Sequence, residues 1–121
     1  VNLSDAIEAG ARLHPMGKRN YTSRANGEIR TCAFGAAYEA ATGELVPPEG
    51  MDHGEVGRTL RRRLGLDYSI HEVLIPYPED YTVNATDGER VDEMWWVIST
   101  LNDVGGYTRE QIAAYLRTLG Y

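Results

Sequence analysis

A chain of 121 residues, 42% apolar and 25% charged, has the size and balance of one globular domain and is not a disordered or low-complexity protein. Its net charge of -6 opposes a polyanionic partner over the whole surface, and no apolar run approaches the ~20 residues of a membrane span. Cys32 is the one cysteine, which rules out an intrachain disulfide and fits a reducing, cytoplasmic setting; the first residues lack the basic-then-apolar pattern of a secretion signal.

Taken in chain order, the first predicted element is an amphipathic helix over residues 3–14. Leu3, Ile7, Gly10, Ala11 and His14 share one side, Asn2 or Ser4 is available as the cap, and Pro15 and Gly17 end it. The polar stretch 18–30 contains Asn26-Gly27, the signature of a tight turn, and predicts a short β-hairpin near 20–30. Thr31 stands where it would cap a second helix over 32–42. Small residues (Ala33, Gly35, Ala36, Ala37, Ala40, Ala41) cover most of that helix, so neighbours can approach it closely and it is expected to be central. Gly43 stops it, and Pro47-Pro48-Glu49-Gly50 makes a rigid connection.

Asp52 and Glu55 have capping-box spacing and open a third helix, with Val56, Leu60 and Leu64 as its apolar stripe and Gly65 after it. Alternation from Ile70 to Ile75 predicts a short strand near 69–75. The run from Pro76 to Asn84 reads as a long loop, a kind of segment that is often functional in a compact domain. Thr86 and Glu89 give a second box before a helix to about Asp103, striped by Val91, Met94, Trp95, Ile98 and Leu101. Gly105-Gly106 makes a turn, and Thr108 with Gln111 opens a last helix with Ile112, Tyr115, Leu116 and Leu119 inward. The fold expected is mainly α: about five helices in a single domain over 1–121, with the hairpin and the short strand.

Two segments carry a family resemblance. Asn26-Gly27-Glu28-Ile29-Arg30-Thr31-Cys32-Ala33-Phe34-Gly35-Ala36-Ala37 resembles a polar turn leading into a Cys-x-[Leu/Phe]-Gly-Ala helix. Val97 to Asp103, ending Leu101-Asn102-Asp103, followed by Thr108-Arg109-Glu110-Gln111-Ile112, is similar to the ending of certain small uncharacterised proteins of actinobacteria and their phages. With the first helix, the similarity covers about half the chain. It departs at Leu101, where the pattern has tryptophan, and in the extended middle from Pro47 to Thr86. The resemblance implies a helical fold and a phage or bacterial accessory protein, and it implies no activity.

Few residues offer chemistry. Cys32 at a helix start would have its thiolate stabilised by backbone N–H groups and the helix dipole, and His71 on a strand would complete a cysteine-hydrolase pair. The plainer alternative is a small buried thiol among alanines, and no orienting Asp or Asn can be assigned. His14, His53 and His71 lie too far apart in sequence for a metal motif, and His14 reads as a hydrogen-bonded core histidine. Asp52-His53-x-Glu55 reads as a cap. No glycine spacing forms a phosphate cradle, so no cofactor is expected.

Arg58, Arg61 and Arg62 lie opposite the stripe of their helix and form either a solvated face or a docking surface for an acidic partner or nucleic-acid phosphates. Nucleic acid is disfavoured by the surrounding acidity, and the last two helices make a poor helix-turn-helix because the terminal one offers only Arg109 and Arg117 as cations. Trp96 lies opposite its own helix's stripe. It is expected to be covered by Tyr77 and Tyr81 of the acidic loop, or else to stand exposed as an interaction anchor. The leading expectation is a non-catalytic interaction or regulatory protein acting by protein contact. The alternatives are a cysteine hydrolase using Cys32 and His71, and a nucleic-acid accessory protein using the arginine face.

Overall fold

The computed structural model describes residues 2–81 and 91–121. Among them run five helices, α1 (Leu3–Ala11), α2 (Ala33–Thr42), α3 (His53–Leu64), α4 (Met94–Asp103) and α5 (Arg109–Thr118). Four short strands, β1 (Thr22–Ala25), β2 (Glu28–Thr31), β3 (Leu74–Pro76) and β4 (Val91–Glu93), pair as two antiparallel ribbons, β1 with β2 and β3 with β4. No helix among the described residues is long and apolar enough to cross a membrane.

The mainly helical reading holds, and the hairpin forms where Asn26-Gly27 placed it. Both turn residues have positive φ, 53° and 76°, which suits Asn and Gly and matches the twist of the flanking strands. Helix starts follow their caps. Asn2 Oδ1 accepts from Asp5 N, Asp52 Oδ2 accepts from Glu55 N, and Thr108 with Gln111 forms a complete capping box.

Five expectations are corrected. Helix α1 ends at Ala11 rather than at 14, so His14 lies beyond it. The cap of α2 is Cys32 rather than Thr31, whose hydroxyl instead accepts from Arg109. The strand expected near 69–75 is confined to Leu74–Pro76, because residues 70–72 form a turn. The helix expected before residue 94 gives way at Val91–Glu93 to strand β4, which pairs Val91 with Pro76 and leaves Val91 52% exposed, outside any core stripe. The Thr86 and Glu89 box lies outside the described residues. Finally, Arg109 is not an available surface cation: it is buried.

Helix α4 starts without a side-chain cap because tertiary structure supplies the acceptors. Met94 N donates to Val73 O and Trp95 N to Ile70 O, both at 2.9 Å, which satisfies two of the N–H groups a helix start leaves open. Buried residues of all five helices join in one hydrophobic cluster, with Phe34, Leu60, Ile98 and Leu116 among its largest members. Helix α2 packs against α1, α3, α4 and β2. Its contacts have no room for a side chain: a Cβ on Gly10 would lie 1.9 Å from Ala36 O, and one on Gly35 would lie 1.9 Å from Tyr21 O. Asn102 on α4 joins the start of α2 to the loop after α1. Its Oδ1 accepts from Ala33 N at 3.0 Å, and its Nδ2 donates to Gly17 O at 3.0 Å. One buried amide therefore satisfies the first N–H of α2, beside the Cys32 cap, and pins the loop after α1.

Candidate functional site

Three segments remote in sequence converge on one cleft of about 270 Å³. The approach to β1 supplies Arg19 to Thr22, the connection from α2 to α3 supplies Pro47 to Met51 and His53, and α4 supplies Trp95, Trp96, Ser99 and Asp103. Buried Phe34, Cys32 and Ile98 form the apolar floor. Trp96, 52% exposed, stands at the opening.

The walls are aromatic and mutually braced. Trp95 stacks on Phe34 with centroids 6.4 Å apart and planes 9° from parallel, and the His53 ring lies 4.7 Å from Trp95. Trp96 meets Trp95 edge to face at 5.1 Å, the two indole planes standing at 83°. Tyr21 reaches across with its hydroxyl in hydrogen-bond contact with His53 Nδ1. Burial pushes the Tyr21 phenol up to about 12, so the hydroxyl keeps its proton at neutral pH. The rest of His53 is exposed.

The polar rim is fixed by backbone. Asp103 Oδ1 accepts from Arg19 N at 2.8 Å and from Asn102 Nδ2 at 2.9 Å. Arg19 holds a left-handed φ of 71°, rare for a residue other than glycine, and this contact supports it. Glu49 is exposed at the edge of the cleft.

Cys32 lies at the floor, but its thiol is not activated. Burial pushes it up to about 11, the reverse of the lowering expected from a helix start, although backbone N–H groups such as that of Gly35 pull the other way. Its Sγ accepts from Gly35 N at 3.4 Å, closing the first turn of α2. His71 does not join it. The His71 Nε2 donates to the carbonyl of His53 at 3.0 Å, and its ring packs 5.9 Å from Trp95, outside the cleft lining. The histidine that shares the cleft with Cys32 is His53, and its Nδ1 is held by Tyr21.

Tyr77 and Tyr81 stack on each other at 5.6 Å, but neither lines the cleft beside Trp96. The Tyr81 ring lies instead close to Gly105, past the end of α4. Arg58, Arg61 and Arg62 are exposed on α3, away from the cleft, with Arg58 at 3.9 Å from Asp52. His14 sits past the end of α1, half-buried, with Nε2 3.1 Å from Glu39 Oε2 on α2. Among the described residues, no three His, Cys, Asp or Glu side chains gather as ligands for a metal ion.

No family model, curated protein or solved structure matches this chain. Sequence reasoning singled out Trp96 but missed Tyr21 and His53. Tyr21 sat in a polar hairpin stretch and His53 in a helix cap, and neither context signals an aromatic wall.

Proposed function

We propose that this chain is a non-catalytic binding protein that engages a protein partner through the aromatic cleft, with Trp96 as the anchor at its mouth. The observation that carries the reading is an indole half exposed beside an apolar floor, braced by a second indole and by the Tyr21–His53 pair. Tryptophan is among the residues that most often carry the binding energy of protein interfaces, once a partner covers it and excludes water. A concave, largely apolar site with a few convergent polar groups is the common form of a recognition site. The unactivated thiol at the floor favours binding over nucleophilic chemistry.

The test is selection of short peptides displayed on phage against the immobilised protein, with counter-selection on the Trp96→Ala variant. The expected result is a set of peptides with dissociation constants on the order of micromolar that shift the backbone resonances of the cleft and lose at least tenfold in affinity on Trp96→Ala. Selected peptides that bind both proteins equally, or that shift resonances only elsewhere, would overturn the reading.

A further inference from the structure

Resting on that reading, we infer that the cleft takes an arginine side chain presented by the protein partner. Three observations converge. The first is the wall geometry: Trp95 and Trp96 stand at 83° and make an aromatic corner, with the exposed Trp96 turned to the opening. A guanidinium stacks on an indole face and is attracted by its quadrupole; half-exposed Trp96 offers such a face, while Trp95, packed against Phe34 and His53, braces it.

The second is charge. The cleft is lined by the carboxylates of Glu49 and Asp103, the guanidinium of Arg19 and the imidazole of His53, and the whole chain carries -6. Asp103 is fixed in place by Arg19 N and Asn102 Nδ2, so its charge at the rim costs no ordering when a ligand enters. Arg19 itself is tied at its backbone to the same carboxylate. The potential at the mouth therefore favours a cation over an anion.

The third is size and polarity. A cavity of about 270 Å³ admits one long side chain and not a folded element. Its floor of Phe34 and Ile98 suits the methylene stem of an arginine while the guanidinium stays at the carboxylate rim. An acidic side chain would be repelled by Glu49 and Asp103, and an aliphatic one would gain nothing from them.

The test is titration of 15N-labelled protein with N-acetyl-arginine amide and, separately, with its uncharged isostere N-acetyl-citrulline amide. The indole N–H resonances of Trp95 and Trp96 are the readout. The arginine amide should move both in a saturable manner at millimolar concentration, the citrulline amide should bind at least fivefold more weakly, and Glu49→Gln should reduce the difference. Equal binding of the two amides, or no shift of either indole by the arginine amide, overturns the inference. The display selection separates the two claims. Peptides that depend on Trp96 and tolerate Arg→citrulline at their anchor position refute the cation while the binding reading stands. Absence of any Trp96-dependent peptide refutes both. Trp96-dependent peptides in which a single arginine is required support both, and show that the cation is presented by a polypeptide rather than as a free solute.

Discussion

Replacing Arg109 tests how a buried cation can hold a helical domain together. The residue is only 4% exposed, and among the described residues no carboxylate accepts from its guanidinium. Its Nη1 donates to Thr31 Oγ1 at 2.8 Å and Thr31 O at 3.3 Å, and its Nη2 donates to His14 O at 2.6 Å and Ala11 O at 3.3 Å. The group thus ties the C-terminal end of α1, where unpaired carbonyls and the negative end of the helix dipole accumulate, to the last residue of β2. Arg109→Met keeps most of the stem and removes every donor. Two short charge-assisted bonds at about 1.5–3 kcal/mol each, less the desolvation cost that methionine does not incur, leave a net loss of roughly 3 kcal/mol. For a domain of this size that is a fall of roughly 10 °C in Tm. Arg109→Lys should recover less than half, because one ammonium cannot serve both clusters of acceptors. Urea unfolding followed by far-UV circular dichroism measures both. A methionine variant within about 0.5 kcal/mol of the parent, or a lysine variant fully as stable, would refute this account of the guanidinium.

Gly10→Ala should destabilise by about 3 kcal/mol or more although alanine is the better helix former, because its Cβ would meet Ala36 O at 1.9 Å; a thermal melt showing higher stability would contradict the α1–α2 packing. The Cys32 thiol is raised by burial to about 11 from an unfolded value near 9, so the stability it contributes is complete below about pH 9 and lost as pH rises through about 11. Cys32→Ser should flatten that part of an alkaline stability profile, and iodoacetamide should label the native thiol slowly at pH 8 and quickly in denaturant; rapid native labelling at pH 7 would show an activated cysteine instead. Trp96→Ala should change unfolding stability by less than about 1 kcal/mol, whereas Trp95→Ala, which unstacks Phe34 and His53, should cost about 3 kcal/mol. Equal losses in the two tryptophan variants would place Trp96 in the core.

Local chemistry explains why most helices were legible and why some ends were not. The caps at Asn2, Asp52 and Thr108 act within three residues of themselves, and so do the turn at Asn26-Gly27 and the left-handed stops at Gly43 and Gly65. The small-residue helix α2 was rightly read as central, since only close neighbours explain so many small side chains. The start of α4 misled because its N–H groups find acceptors in Ile70 and Val73, more than twenty residues upstream. Val91 to Glu93 could then pair as a strand with β3, and the expected stripe broke at Val91. Thr31 looked like a cap and is instead committed to Arg109, which is 78 positions away.

Sequence alone determined the helical class, the hairpin turn and four of the five helix starts to within a residue or two, because periodicity and capping are short-range effects. Tertiary structure alone decided the use of the polar and aromatic residues. It buried Arg109 among carbonyls, spent His71 on the backbone of His53, and raised rather than lowered the Cys32 thiol. It also brought Tyr21, His53 and the Trp95–Trp96 corner together around one cleft. Those outcomes depend on which distant atoms meet and how much water they exclude, and no spacing along the chain encodes that.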